Sequence, residues 1–192
     1  MVKGFKLERF CFCYFEKIFN LKVDFSDPAV VRQVDLDVAR TWRSHSRFRP
    51  RYGRWQKYLF RILIGYSAFD VTVGYCQGMS QVAALLLIVF ENEEKAFWAL
   101  CSLMNSSPWT QKGMFLPGFP KLMQFASLWE EILLKNLPKV YSHLSEENVI
   151  PQIYVTKWFL QNFLDRLPFR LAIRVWDCFL LKGDVIVLVW GP

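Results

Sequence analysis

The stretch Trp55-Gln56-Lys57-Tyr58-Leu59-Phe60-Arg61-Ile62-Leu63-Ile64-Gly65-Tyr66 decides the fold class. Trp55, Tyr58, Leu59, Ile62, Leu63 and Tyr66 recur at three- and four-residue spacing with Lys57 and Arg61 between them, which predicts an amphipathic helix with one face on a core. The same period returns on moving outward. Val82 to Phe90 is continuously apolar and reads as a buried helix. Glu91-Asn92-Glu93-Glu94 then interrupts it and sets acidic groups where the first turn of a following helix, through Phe97 and Leu100, is stabilised by them. Asn105-Ser106-Ser107-Pro108 closes that helix, and Gly113 to Pro120 is a loop rich in breakers. Leu122, Phe125, Leu128, Trp129 and Ile132 mark a helix from about Lys121 to Leu134, and another is expected from about Ile153 to Leu164. Pro168 suits the first turn of a helix with Leu171, Val175, Phe179 and Leu180 as its inner stripe and Gly183 as its stop; Asp184 to Trp190 opens a further one. No alternating run lies between hairpin turns, so the expectation is an all-α domain.

Composition narrows the class. With 53% hydrophobic residues, 18 Phe and 8 Trp in 192 residues, the chain has ample material for a packed core and is no disordered segment. Five cysteines form no paired framework, which fits reduced thiols. Cys11-Phe12-Cys13 stands too isolated from histidine for a zinc site, and no metal centre is expected. The charge of +7 is scattered except in Arg43-Ser44-His45-Ser46-Arg47-Phe48-Arg49-Pro50-Arg51 with Arg54, which reads as a solvated loop or as the border of an acidic partner. Zinc spacings, glycine clamps and helix-turn-helix patterns are lacking, so nucleic acid is not the expected partner. Glu8, Arg9, Glu16 and Lys17 interrupt any signal-peptide core. The apolar runs Val82–Phe90 and Val185–Trp190 fall short of the roughly 20 residues that span a bilayer. A soluble, cytoplasmic protein with at most peripheral membrane contact is expected.

Two short segments carry chemistry: Val34-Asp35-Leu36-Asp37-Val38-Ala39-Arg40-Thr41 and Gly74-Tyr75-Cys76-Gln77-Gly78. The first offers a guanidinium and the second a carboxamide. Neither supplies a nucleophile with its base, so they suit the stabilising and orienting of another molecule's reaction. Phosphoryl transfer to water needs such help, because an arginine neutralises charge on the phosphoryl oxygens and a glutamine orients the water. Asp27-Pro28 suits a helix start, and Asp37 is a second candidate cap, for a turn beginning at Val38. Either way Asp37 and Arg40 can share a face, which on spacing alone is a surface ion pair worth a few tenths of a kcal/mol. Cys76 beside Gln77 raises a thiol nucleophile, but His45 and His143 have no evident orienting partner, and a small packed side chain is the simpler reading.

In order and spacing the two segments resemble the I-x-x-D-x-x-R and Y-x-Q-G motifs of the TBC domain, the Rab GTPase-activating protein family, and look closest to its RN-tre-like branch. The resemblance continues through Phe97-Trp98-Ala99-Leu100, Gly118-Phe119-Pro120-Lys121-Leu122, Lys157-Trp158-Phe159 and Arg174-Val175-Trp176-Asp177. It implies an all-α TBC domain over residues 30–190, truncated at both ends, after a segment 1–29 whose Phe-rich stretch Phe5 to Phe25 does not align. Val34 replaces the family's isoleucine. By resemblance Arg40 is an arginine finger and Gln77 a second finger that positions water. Asp37, Thr41, Tyr75 and Gly78 then support the site or touch the partner. The partner implied is a GTP-bound Rab-family GTPase that owns the GTP and Mg²⁺, since the chain has no G-x-x-x-x-G-K-[ST] loop of its own and needs no cofactor. Endomembrane recruitment and a role in vesicle trafficking follow from the same resemblance. The alternatives are a catalytically inactive Rab-binding or scaffold module and, more remotely, a basic peripheral-membrane adaptor. Trp98, Trp158 and Trp176 are expected in the core.

Overall fold

The computed structural model describes residues 27–189, and among these every regular element is helical. The Phe-rich stretch, Cys11, Cys13 and Trp190 lie outside the described residues. Contacts group the chain into two compact units that meet between Asn105 and Ser106.

The first unit holds four helices: α1 Pro28–Arg40, α2 Arg54–Phe69, α3 Met79–Phe90 and α4 Glu93–Asn105. Helix α1 starts as Asp27-Pro28 implies. Asp27 Oδ1 accepts from the Ala29 N–H at 2.8 Å, and Pro28 occupies the first turn, where its missing N–H has no consequence. Asp37 is therefore not a cap; it sits in the last turns of α1. The stripe on α2 packs as its period requires, with Leu59, Ile62, Leu63 and Tyr66 fully buried. Helix α3 is buried nearly all round from Met79 to Leu87, and packs on α2, α4 and α1. Burying side chains of this size stabilises by about 1.5–3 kcal/mol each before the ordering entropy is subtracted.

No side chain caps the start of α2 from the N-cap position, Gly53. Gln56 takes over from inside the helix. Its Nε2 donates to the Phe48 carbonyl at 2.7 Å and its Oε1 accepts the Tyr52 N–H at 3.0 Å. The basic loop is thereby fastened to α2, and its own arginines finish the task. Arg47 pairs with Glu91 at 2.6 Å and lies over the Trp55 ring, while Arg51 pairs with Asp35 at 2.6 Å and lies over the Tyr52 ring. Arg54 donates from Nε to the Tyr58 hydroxyl at 2.8 Å. Much of this loop's charge is thus spent on its own conformation.

The second unit contains a 3₁₀ turn at Gln111–Met114 and helices α5 Pro120–Asn136, α6 Pro138–Glu146, α7 Pro151–Leu160, α8 Phe169–Lys182 and α9 Val185–Val189. Phe125 meets Phe159 edge to face with centroids 5.6 Å apart, and Trp176 donates from Nε1 to the Asn162 carbonyl at 3.2 Å. Two expectations are corrected here, and one helix is added. Helix α7 ends at Leu160, short of Leu164, because Asn162 and Phe163 take positive φ. Leu171 is exposed, and Ala172 with Val175, Trp176 and Phe179 forms the inner face of α8. Helix α6 was not anticipated, although Val140, Tyr141 and Leu144 stand at helical spacing in it; none of its residues is buried.

Candidate functional site

Both chemical segments lie in the first unit, one at the end of α1 and the other in the loop between α2 and α3. Asp70 shapes that loop. Its carboxylate accepts the Thr72 hydroxyl at 2.6 Å and the Thr72 N–H at 3.2 Å, and its carbonyl accepts the Gly74 N–H at 2.8 Å. Gly74 at φ +61° and Gly78 at φ +106° then turn the chain through left-handed conformations that L side chains rarely adopt. Tyr75, Cys76 and Gln77 are held between these two bends.

Asp37 is the hinge of the site. Its side chain is only 1% exposed, so it needs partners, and it has three. Arg40 Nη2 lies 2.6 Å from Oδ1, Gln33 Nε2 donates to the same oxygen at 3.0 Å, and the Tyr75 hydroxyl donates to Oδ2 at 2.6 Å. A buried carboxylate in α1 thus holds the Arg40 guanidinium with one oxygen and the glutamine loop with the other. The Arg40 side chain itself is 58% exposed, and a guanidinium carries five N–H groups, more than its contact with Asp37 uses. Gln77 is exposed as well. Thr41, buried next to Arg40, makes a second connection, its Oγ1 lying 2.9 Å from Ser80 Oγ at the start of α3.

Electrostatics favour this arrangement over a thiol centre. Burial, followed by the hydrogen bond to Asp37, pushes the Tyr75 phenol well above its ordinary pKa, so it remains a donor to the carboxylate. Burial and then the Asp37 charge push the Cys76 thiol up, which disfavours the thiolate a nucleophile needs. His45 accepts the Arg47 N–H at Nδ1, and burial followed by the Arg47 charge lowers its pKa. A cavity of about 340 Å³ opens on another face of α1, between Asp35, Val38, Tyr52 and Phe60; it includes neither Arg40 nor Gln77. Among the described residues no group of three metal-ligating side chains occurs, and no helix is long and apolar enough to cross a membrane.

Of the residues anticipated from sequence, Asp37, Arg40, Thr41 and Tyr75 are joined in one hydrogen-bonded network, with Gln77 and Gly78 on the loop that Tyr75 tethers. Gln33 and Ser80 were missed. Gln33 stands four residues before Asp37 on the same helix, a spacing that brings side chains together. Ser80 follows Gln77 by three and carried no signal of its own.

With this geometry described, the comparisons give it a class. A family profile described as Rab-GTPase-TBC domain matches residues 13–190. The chain belongs to that family. It is 34% identical over 161 residues to TBC1 domain family member whacked of Drosophila melanogaster, a match covering 84% of this chain and 43% of that protein. It is 30% identical over 162 residues to Growth hormone-regulated TBC protein 1 of Xenopus laevis, covering 84% and 46%. The chain thus spans less than half the length of these curated relatives. Among solved structures, the Chlamydomonas flagellar RabGAP TBC domain superposes with a TM-score of 0.72 at 24% identity, over 91% of this chain and 56% of that one. The Ypt/Rab-GAP domain of Gyp1p superposes with a TM-score of 0.73 at 16% identity, over 90% and 60%. These two likenesses extend the all-α fold to solved relatives.

Proposed function

We propose that this chain is a GTPase-activating module for a Rab-family small GTPase in its GTP-bound form, with Arg40 and Gln77 supplied in trans to the partner's nucleotide site. The observation that supports this reading is the buried Asp37, which holds an exposed guanidinium with one oxygen and the base of the glutamine loop with the other. In this scheme Arg40 neutralises charge growing on the transferring phosphoryl oxygens. Its planar fork reaches two oxygens at once, which a lysine cannot do. Gln77 orients the attacking water. Such an arginine accelerates hydrolysis by roughly a thousand- to a hundred-thousandfold, equivalent to about 4–7 kcal/mol of barrier. GTP and Mg²⁺ belong to the partner. Asp37, Thr41, Tyr75 and Gly78 act as supports, the first and third by fixing where the fingers start.

Placement in the RN-tre-like branch, action in vesicle trafficking and a cytoplasmic location with recruitment to endomembranes belong to the same proposal. The test is single-turnover GTP hydrolysis by a panel of Rab GTPases with and without the purified chain. Acceleration that disappears in Arg40→Ala supports the reading. Binding to a GTP-loaded Rab without acceleration identifies a scaffold module, and neither binding nor acceleration across the panel refutes the proposal.

A further inference from the structure

Ser80 lies outside both motif segments yet bonds to Thr41 in one and closely follows the other. It is the second residue of α3, is 4% exposed, and follows Gln77 by three residues. Proton counting defines its role. Thr41 Oγ1 has a single hydrogen and lies 2.6 Å from the Asp37 carbonyl, an oxygen that can only accept. That hydrogen is committed there, so in the 2.9 Å contact between the two hydroxyls Ser80 is the donor. The Tyr75 hydroxyl, on the loop that precedes Ser80, has likewise committed its hydrogen, to Asp37 Oδ2. The Ser80 proton therefore ties the chain just past the Gln77 loop to the residue next to Arg40.

The consequence is a closed frame. One rung runs from Asp37 to Tyr75 and the other from Thr41 to Ser80. Arg40 lies between the rungs on the first segment, and Gln77 lies between them on the second. A single rung leaves the two segments free to pivot about it; two rungs remove that freedom. We infer that Ser80 is a positioning residue that sets the separation of Arg40 and Gln77, through the hydroxyl it presents to Thr41. This rests on the GTPase-activating reading for its effect on rate, but not for the frame itself.

Ser80→Ala removes a donor and leaves one acceptor, Thr41 Oγ1, which keeps its own donated bond to the Asp37 carbonyl. The effect therefore falls on geometry more than on folding. In multiple-turnover assays with the GTP-loaded Rab that the chain accelerates most, Ser80→Ala lowers kcat by about tenfold, with KM within about twofold and Ser80→Thr restoring most of the rate. Thr41→Val lowers kcat similarly, and the double variant is no worse than either alone. Independently of any GTPase, ¹H–¹⁵N spectra of Ser80→Ala show displaced signals for the Arg40 Nε–H and the Gln77 backbone amide, while α2 amides keep their wild-type positions. Unchanged kcat together with unchanged Arg40 and Gln77 signals overturns the inference, as does a uniform displacement across the first unit, which marks a purely structural serine. A wild-type chain that accelerates no Rab, but whose Arg40 and Gln77 signals move in Ser80→Ala, sinks the GTPase-activating reading and leaves the frame standing.

Discussion

Replacing Tyr75 by Phe removes one oxygen atom and little else, so it measures the rung to Asp37 directly. The lost bond is 2.6 Å long and ends on a carboxylate whose side chain is 1% exposed. Hydrogen bonds to charged groups contribute about 1.5–3 kcal/mol, and a buried acceptor left bare lies toward the upper part of that range. Arg40 and Gln33 both act on Oδ1 and cannot cover Oδ2. The expected loss is about 2 kcal/mol in the first unit. Urea unfolding measures the total, and native-state hydrogen exchange of α1 and α3 amides localises it. Combining Tyr75→Phe with Asp37→Asn should show a coupling of about 1–2 kcal/mol, because the second change weakens the acceptor that the first leaves unpaired. A loss under about 0.5 kcal/mol, or additive effects, means that the contact carries no appreciable energy and that Asp37 does not tie the loop to α1.

Arg40→Ala and Arg40→Lys should each lose at least about a hundredfold of the GTPase acceleration, and Gln77→Ala should be strongly impaired while Rab binding, read by titration calorimetry, is largely kept. Their effects should be less than additive, and near-full activity in Arg40→Lys contradicts a role for the planar fork. Cys76→Ser should leave most activity; a folded Cys76→Ser protein that is inactive while Arg40→Ala works calls for a thiol mechanism instead. Glu93 supplies a pH test, since burial pushes its carboxyl up to about 7 against the opposing Arg61 charge. A folded pKa above the unfolded value gives stability that is complete below about pH 4.5 and is lost as pH rises through about 7. Glu93→Gln should flatten that slope in unfolding curves between those pH values, and an unchanged slope assigns it to another group.

What was legible in the sequence follows from how local the cause is. The stripe from Trp55 to Tyr66 and the apolar run from Val82 to Phe90 record burial directly, so α2 and α3 were readable. Asp27-Pro28 records a cap, and the start of α1 was readable too. Helix α6 carries Val140, Tyr141 and Leu144 at helical spacing but is nine residues long and buries none of them, so its signal was short. Asn162 and Phe163 end α7 by adopting positive φ; asparagine favours that conformation and was a readable stop, whereas phenylalanine rarely adopts it. The site divides in the same way. Arg40 and Gln77 were singled out because their chemistry is unusual for isolated surface residues and because their spacing resembles a family pattern. Ser80 escaped because its partner Thr41 lies 39 residues away, whereas Gln33 and Gln56, whose partners are within eight residues, escaped because an amide at such spacing is common on any helix.

The burial of Asp37 also explains why an ion pair three residues apart can matter here. Exposed pairs of this type contribute a few tenths of a kcal/mol, since water competes for both charges and both side chains must be ordered. At Asp37 the carboxylate is out of water and is already fixed by Tyr75 and Gln33, so holding Arg40 requires ordering only the arginine. Arg40 keeps 58% of its side chain in solvent, which screens the pair and leaves the guanidinium able to turn toward a phosphate without abandoning a fully buried contact. Asp37 does not become an orphan when that happens, because its other two donors remain. The role proposed for Arg40 needs a guanidinium held loosely enough to leave and closely enough to be present. A carboxylate with three donors, only one of them on the mobile side chain, meets both conditions.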